Sequence, residues 1–180
     1  MKKLITTLLA LCLTTTASFS DVKLGIIIGF TGPIESLTPD MAAGAELAID
    51  EVNKSGSFSM GNVSGIRADS TCIDSSAATA AAERLITSDK VNGIMGADCS
   101  GVTTAILQQV ALANGMVMVS PSATSPALST VEDNNLFFRT APSDARQGQV
   151  IADILQEKGM NNVAISYVHN DYGKGLAASI

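Results

Sequence analysis

The sequence has little histidine and cysteine, the residues that most often bind transition metals. One histidine, His169, and three cysteines occur among its 180 residues. One of these cysteines, Cys12, lies in an N-terminal segment of a kind that secreted proteins lose on export. The remaining two cysteines and a distant histidine cannot supply the four ligands of a zinc site. We therefore expect no metal site and no bound cofactor.

Basic residues are also scarce. Lys and Arg number 11 against 17 Asp and Glu, which gives a net charge of −6. Because nucleic-acid binding depends on cationic side chains that neutralise phosphates, this balance argues against a nucleic-acid partner. An anionic membrane surface is disfavoured as well, since the chain has no basic amphipathic stretch.

Long apolar runs are absent except at the N-terminus. Two lysines precede an apolar run at 4–13, and a short polar segment ending at Ser20 follows. This order is typical of a secretory signal peptide, and the run is too short for a membrane-spanning helix. We predict a signal peptide at 1–20 whose removal changes the net charge from −6 to −8, because two lysines and no acids leave. A lipid anchor at Cys12 is disfavoured by the bulky Leu11 before it.

Two cysteines, Cys72 and Cys99, remain after cleavage. Thiols usually pair in the oxidising compartment that an exported protein enters, so we expect one disulfide. It would close a loop of 28 residues, which is worth about 3.5 kcal/mol of chain entropy. Cys99 stands beside Ser100 where a helix is predicted to begin, and a helix N-terminus can lower the pKa of a thiol. A catalytic Cys99 is therefore the alternative, although a disulfide sulfur is not a nucleophile.

Apolar runs alternate with segments of helical periodicity along the mature chain. Runs typical of strands lie at 22–30, 66–70, 91–95, 116–119, 136–139 and 162–168. Helices are predicted from Met41 to Gly56, from the capping residue Asp74 to Ile86, from Ser100 to Ala111, from Asp144 to Lys158, and from Tyr172 onward. The helix at 144–158 is expected to turn inward the residues Val150, Ile151, Ile154 and Leu155. This alternation predicts an α/β fold with a parallel sheet and helices on both of its faces.

Ligands of such sheets bind beyond the carboxyl ends of the strands. The loops that leave the predicted strands and stand out by composition lie at 31–40, 96–103, 120–126 and 169–173. In the second of these loops, Ser100 and Gly101 begin a helix whose free backbone N–H groups suit an anion such as a carboxylate. The alternative is that Ser100 only caps its helix.

The loop at 120–126 has the sequence SPSATSP, in which two prolines restrict the backbone around several hydroxyl groups. In a binding site, Thr124 can donate to a carboxylate while the carbonyl of Ser122 accepts from an ammonium group. The alternative is a turn whose hydroxyl groups are satisfied within the turn itself.

The chain resembles a known family in three stretches, which are, in order, GADCSGVTTAILQQVALANGMVMVSPSATSPALS, FFRTAPSDARQGQVIADIL and VAISYVHNDYGKGLAASI. They resemble the type I periplasmic binding proteins of branched-chain amino acid ABC transporters, the leucine/isoleucine/valine-binding group, over the whole mature chain. The resemblance implies a bilobed fold with a parallel sheet flanked by helices in each lobe. It also implies a monomeric periplasmic protein that captures an amino acid or similar small organic ligand and delivers it to a permease in the inner membrane.

The resemblance assigns roles to individual residues. Ser100 and Thr124 match the residues that bind the carboxylate of the ligand, and Ser122 matches the residue whose carbonyl binds the ammonium group. Ala123 lies in the same loop and is expected among the ligand-binding residues. Tyr172 matches the tyrosine with which the second lobe closes over the ligand.

The family's disulfide matches Cys72 and Cys99. The resemblance divides the chain into the signal peptide at 1–20, a first lobe at 21–140, and a hinge crossing with the start of the second lobe at 141–180. We expect the second lobe to be truncated early. The acid that completes ammonium binding in this family would lie beyond the last residue, which leaves the class of ligand open.

Several polar residues near the predicted cleft have two interpretations. Glu35 and Ser36 stand in the first loop, where apolar contacts to a ligand side chain are frequent. Arg139 either reaches a ligand carboxylate or, as we expect, forms a structural salt bridge near the hinge. His169 is expected to be exposed rather than to bind ligand, and Asp171 is expected to cap the last helix.

Two other functions compete with transport. An exported hydrolase using Ser100 or Cys99 would need His169 as its base, and that histidine belongs to a different loop. A receptor of the same fold that senses its ligand is the second alternative. The signal peptide without a later membrane segment favours transport, and we expect no enzymatic activity.

Overall fold

The computed structural model describes residues 21–59 and 61–180, so the predicted signal peptide lies outside the described residues. Five strands form one parallel sheet in the order β2-β1-β3-β4-β5. The strands are β1 (Val22–Ile28), β2 (Val63–Asp69), β3 (Gly93–Gly96), β4 (Met118–Ser120) and β5 (Phe137–Arg139). The predicted α/β fold with a parallel sheet is confirmed.

Helices connect the strands and continue beyond the last of them. They are α1 (Thr38–Ser55), α2 (Ser75–Thr87), α3 (Ser100–Ile106), α4 (Leu112–Asn114), α5 (Asp144–Glu157) and α6 (Asp171–Ala177). A π-helical turn, Leu107–Ala111, joins α3 to α4, and a 3-10 turn, Pro126–Ser129, lies between β4 and β5. The predicted single helix after Ser100 is therefore one continuous run with a wider turn inside it.

Local signals explain where two of the helices begin and end. The side chain of Asp74 accepts the N–H groups of Ser76 and Ala77, which caps the start of α2 as predicted. Gly56 ends α1 in a left-handed conformation with φ of 65°. Residues with a Cβ rarely adopt that conformation, so glycine is the residue expected at this place.

Strand β1 is buried because helices cover the sheet on both faces. Ile27 packs on one face in a cluster with Leu85 of α2. Ile26 and Ile28 point to the other face and pack with Ala42 of α1. Since successive side chains of a strand point to opposite faces, both faces of β1 must be apolar, which explains the nearly unbroken apolar run that predicts it.

The predicted disulfide is confirmed. Cys72 in the loop after β2 is bonded to Cys99, the residue directly before α3, with 5.2 Å between the two Cα atoms. The bridge ties together two of the loops that leave the carboxyl edge of the sheet. Because the sulfur of Cys99 is bonded to Cys72, the hypothesis of a nucleophilic Cys99 is wrong.

The segment at 162–168 is not a strand, contrary to the prediction. Its residues are exposed, and no strand within the described residues pairs with it. An apolar run becomes a strand only when a neighbouring strand completes its hydrogen bonds. The same lack of a packing partner affects α5, where Val150 and Ile154 are 38% and 44% exposed, so the expected inward face is only partly covered.

Two features are absent from the described part of the chain. No helix in residues 21–59 and 61–180 is both long enough and apolar enough to cross a membrane. The same residues contain no group of three or more His, Cys, Asp or Glu side chains arranged to hold a metal ion.

Candidate ligand-binding site

The loops after β3 and β4 meet at the carboxyl edge of the sheet. Ser100, in the first turn of α3, accepts the N–H of Ser125 through its hydroxyl oxygen at 3.1 Å. Ser122 donates its hydroxyl proton to the carbonyl of Asp98 at 2.9 Å. Because β3 and β4 are neighbours in a parallel sheet, the two loops predicted to bind a ligand lie side by side at one edge of it.

The loop at 120–126 binds nearly all of its carbonyl groups to the segment around the end of β5. Three residues of that segment, Arg139, Thr140 and Asp144, supply the donors. The pairs are Thr140 N to Ser120 O at 3.0 Å, Thr140 Oγ1 to Pro121 O at 3.3 Å, Arg139 Nη1 to Ala123 O at 3.2 Å, Asp144 N to Thr124 O at 2.9 Å, and Arg139 Nη1 to Ser125 O at 2.9 Å. Among the six carbonyls at 120–125, that of Ser122 is the exception, because no donor within the described residues reaches it.

The backbone N–H groups of the loop complete this pattern. Ala123 donates its N–H to the buried hydroxyl oxygen of Ser120 at 3.0 Å, and this N–H shares a peptide group with the Ser122 carbonyl. The two ends of a trans peptide group point in opposite directions, so the Ser122 carbonyl faces away from Ser120. The N–H groups of Ser122 and Thr124 have no acceptor in the described chain. The loop therefore combines one open acceptor with open donors.

Ser100 is 2% exposed and lies within α3, while Cys99 occupies the capping position. The alternative that Ser100 caps its helix is therefore wrong. Its oxygen accepts the N–H of Ser125, and no acceptor in residues 21–59 and 61–180 takes its proton, so the hydroxyl remains a donor. The first N–H groups of a helix, here those of Gly101 and Val102, also lack an intrahelical acceptor. Together these donors suit a carboxylate.

The hydroxyl of Thr124 is already engaged. It donates to Oδ2 of Asp144 at 2.9 Å, and Asp144 is 1% exposed at the start of α5. A hydroxyl has a single proton, so while Asp144 accepts it, the donor that Thr124 can offer a ligand is its backbone N–H. The predicted contact of Thr124 with a carboxylate stays a prediction, with that N–H as the donor.

Asp98 connects the loops of the site, and the sequence pattern did not single it out. It is 3% exposed. Its Oδ2 accepts the N–H of Gly29 at 2.8 Å, and its Oδ1 accepts the Ser70 hydroxyl and the Cys99 N–H, both at 3.0 Å. The signal that could have found it is its position, since an acidic residue directly follows a buried strand in a loop already chosen as a candidate site.

The loop after β1 is held by Asp69 at the end of β2. The carboxylate accepts the Thr31 hydroxyl at 2.6 Å and the Thr71 N–H at 2.8 Å. Burial acts to raise the pKa of Asp69, but these hydrogen bonds, together with a weaker one from the Thr31 N–H, outweigh it and lower the pKa below the ordinary 3.8.

This lowered pKa predicts that Asp69 contributes to acid stability. A carboxyl whose pKa is lower in the folded state stabilises the fold above its unfolded pKa, and that contribution is lost as the pH falls through the folded pKa. Asp69→Asn should therefore reduce the thermal unfolding temperature at pH 6, and the difference from wild type should shrink at pH 3. Glu83→Gln is the control, because Glu83 is exposed and its carboxylate makes no hydrogen bond in the described residues. An equal deficit at both pH values would contradict the prediction.

The expected structural salt bridge of Arg139 is wrong. Its guanidinium donates to the carbonyls of Ala123 and Ser125 and to the hydroxyl of Ser129. No carboxylate among residues 21–59 and 61–180 forms an ion pair with it. The reason is positional, because β5 runs beside β4 and places this side chain behind the loop that follows β4.

Helix α6 lies over the start of α3. Oδ2 of Asp171 is 3.6 Å from the position that a Cβ on Gly101 would occupy. A cavity of about 500 Å³ between α6 and α3 is lined by residues of α6, by Thr104 of α3 and by the turn after β4. The capping residue of α6 is Asn170, whose side chain accepts the N–H of Gly173 at 2.9 Å, so the expected cap by Asp171 is wrong.

Tyr172 lines a different cavity from the one beside Thr104. It is 43% exposed and lines a cavity of about 230 Å³ whose other walls come from 165–168 and from the rest of the chain's last segment. Its closure over a ligand stays a prediction. His169 is exposed in the loop before α6, as expected.

Comparison with known proteins gives consistent matches over most of the chain. A family model described as receptor family ligand binding region matches residues 40–180. Leu/Ile/Val-binding protein homolog 3 of Brucella melitensis is 32% identical over 163 residues, which cover 89% of this chain and 43% of that protein. The Leu/Ile/Val-binding protein of Citrobacter freundii is 30% identical over 180 residues, 99% of this chain and 48% of that protein. The chain thus spans about half the length of the curated relatives it matches.

Solved structures show the same architecture. The branched-chain amino acid transporter substrate binding protein of Streptococcus pneumoniae, in complex with isoleucine, is 25% identical with a TM-score of 0.75, covering 89% of this chain and 45% of that one. An ABC transporter substrate-binding protein from Desulfitobacterium hafniense, in complex with Leu, is 28% identical with a TM-score of 0.73, covering 89% and 46%. The sheet and helices described above thus have solved counterparts.

Proposed function

Because this chain belongs to the family of receptor ligand binding regions, the type I periplasmic binding proteins, we propose that it is the substrate-binding component of an ABC transporter. It captures an amino acid or similar small organic ligand in the periplasm and delivers it to a permease in the inner membrane. Residues 21–140 form the first lobe, and 141–180 form the hinge crossing and the start of the second. The relatives named for Leu/Ile/Val binding and the structures with Leu and isoleucine support a branched-chain amino acid as the ligand.

The observation that carries this proposal is the set of open polar groups at the carboxyl edge of the sheet. An amino acid offers an ammonium group, which needs an acceptor, and a carboxylate, which needs donors. The unpartnered carbonyl of Ser122 supplies the acceptor. The hydroxyl of Ser100 and the N–H of Thr124 supply donors within the same pair of loops. Ala123, between Ser122 and Thr124, is fully buried, so its side chain packs into the protein while the neighbouring backbone groups stay open.

The loop is ordered before a ligand arrives. Its carbonyls from Ser120 to Ser125, except that of Ser122, are bound by Arg139, Thr140 and Asp144. Two of its N–H groups are bound by the hydroxyl oxygens of Ser120 and Ser100, so few rotations remain to be lost on binding. Such preorganisation raises affinity by lowering the entropic cost of association. Closure of the second lobe at the hinge then buries the ligand, with Tyr172 moving over it.

Ser100→Ala tests the proposal directly. Loss of its hydroxyl should weaken binding of L-leucine, L-isoleucine or L-valine to the full-length protein by about 1 to 3 kcal/mol, roughly 5- to 150-fold. The physical reason is that a charged carboxylate loses one donor in a buried site. Isothermal titration calorimetry measures the change.

Ser64→Ala is the matched control, because Ser64 is exposed on the edge strand β2, far along the sheet from β4. It should bind like the wild type. Unchanged affinity in Ser100→Ala would show that the carboxylate binds elsewhere. Absence of binding of any amino acid to the wild type would reject the proposed ligand class.

A further inference from the structure

Arg139 differs from two other arginines of the chain in its surroundings. Arg67 and Arg84 are half exposed and pair with the carboxylates of Glu46 and Asp89. Arg139 is partly buried, and in the described residues its guanidinium meets carbonyl and hydroxyl oxygens but no carboxylate. Its positive charge is therefore not neutralised by an ion pair at the place where the loop at 120–126 turns.

The contact with Ala123 determines the direction of a neighbouring donor. The carbonyl of Ala123 and the N–H of Thr124 belong to the same peptide group, which is trans. With the carbonyl bound to Arg139 at 3.2 Å, the N–H must point the opposite way, and in the described residues it has no acceptor there. The second contact, to the carbonyl of Ser125 at 2.9 Å, holds the loop on the other side of Thr124. Arg139 thus fixes the orientation of this peptide group from behind.

The charge of Arg139 also acts along that peptide group. A cation hydrogen-bonded to a carbonyl polarises the amide and makes its N–H a stronger donor, since hydrogen bonds in a chain reinforce one another in a low-dielectric site. Partial burial limits screening of this effect by solvent. The charge of Arg139 therefore strengthens the hydrogen bond between the Thr124 N–H and an anion, although Arg139 does not contact the anion.

We propose that Arg139 is the positioning residue for the anionic end of the ligand: it orients the Ala123–Thr124 peptide group and polarises it, so that the Thr124 N–H binds a carboxylate. The inference rests on the proposed function, because it requires a carboxylate ligand at this site. It goes beyond that function by assigning part of the carboxylate affinity to a side chain that makes no contact with the ligand. If Arg139 only held the loop at 120–126 against β5, its loss would instead weaken the binding of all ligands equally.

Binding of two probes to the full-length protein separates the two roles. L-leucine carries the carboxylate, and L-leucinamide replaces it by a neutral amide while keeping the ammonium group and the side chain. Arg139→Gln should weaken L-leucine by about tenfold or more and L-leucinamide by less than about threefold. Arg146→Gln is the matched control, because it removes the same charge from an exposed arginine whose side chain makes no hydrogen bond in the described residues. It should leave both affinities unchanged.

The amide proton of Thr124 provides a readout that needs no ligand. In ¹⁵N-threonine-labelled protein, Arg139→Gln should move this resonance to higher field, because the amide loses its polarising partner, while Arg146→Gln should not. Arg139→Lys keeps the charge but loses the planar fork that reaches two carbonyls, so its resonance and its affinity for L-leucine should be intermediate. This variant also carries the test if Arg139→Gln does not fold.

Equal losses for L-leucine and L-leucinamide, or an unmoved Thr124 resonance, would overturn the inference. If the wild-type protein binds neither probe, L-leucine is not its ligand, and the choice of ligand rather than the role of Arg139 is contradicted. The Thr124 resonance then decides on its own whether Arg139 orients and polarises the peptide group.

Discussion

Replacing Asp98 by alanine is expected to lower the free energy of unfolding of the full-length protein by about 3 to 5 kcal/mol. Asp98 is 3% exposed, and its carboxylate accepts hydrogen bonds from Gly29, Ser70 and Cys99. Each buried donor left without an acceptor costs about 1 to 3 kcal/mol, and alanine leaves the buried donors of Gly29 and Ser70 and the partly buried N–H of Cys99. Urea unfolding measures the loss from the shift of the midpoint.

Asp98→Asn serves as the graded control. With its amide oxygen toward Ser70 and Cys99, asparagine keeps two of the hydrogen bonds and turns its NH₂ group toward the N–H of Gly29, where two donors then meet. Its loss of stability should lie between wild type and alanine. An alanine variant within about 1 kcal/mol of the wild type would show that these three bonds contribute little to the fold.

Elements with local signals were predicted closely. The cap of α2 at Asp74 and the end of α1 at Gly56 depend on residues within a few positions of each other, so the pattern along the chain was sufficient. The apolar run of β1 likewise indicated that both faces of this strand are buried. Parallel strands bring their carboxyl ends together, which is why the loops that carry Ser100 and Ser122 were predicted to lie side by side. Hydrogen bonds from Ser125 to Ser100 and from Ser122 to Asp98 join these loops.

The contacts that complete the site could not be predicted because they join distant parts of the chain. Asp98 meets Gly29 across 69 positions, and Thr124 meets Asp144 across 20. Arg139 was expected to find a carboxylate, the usual partner of an arginine, and instead binds backbone carbonyls. Backbone carbonyls that accept such a bond cannot be identified from the sequence, because every residue has a carbonyl. Only the fold determines which carbonyls remain open.

The segment at 162–168 shows that a sequence pattern can predict an element that the fold does not form. Its apolar composition predicted a strand, and the composition is compatible with one. A strand exists only as part of a sheet, and no described strand lies beside this segment. The exposed apolar residues of α5, Val150 and Ile154, have the same cause, because a helix buries its apolar face only where another element packs on it.

Replacing both Cys72 and Cys99 by serine should lower the free energy of unfolding by about 3.5 kcal/mol, the chain-entropy value for this loop. The two cysteines are 27 positions apart, so the bridge removes many conformations from the unfolded chain. Urea unfolding of the double variant and of the wild type measures the difference. Dithiothreitol should reduce the stability of the wild type to that of the variant and leave the variant unchanged. A difference below about 1 kcal/mol would contradict the prediction.

Ligand binding by the double variant shows whether the disulfide acts on the unfolded chain or on the folded binding site. If the disulfide acts by restricting the unfolded chain, the folded double variant should keep the binding site. The reason is that Asp98 still accepts the hydroxyl of Ser70 and the backbone N–H of residue 99, which holds the two loops together without the bridge. Its affinity for L-leucine should then lie within about threefold of the wild type under conditions where the protein is fully folded. A loss of about tenfold or more would mean that the bridge holds the first turn of α3 in its binding geometry, because the donors at Ser100 follow directly after Cys99.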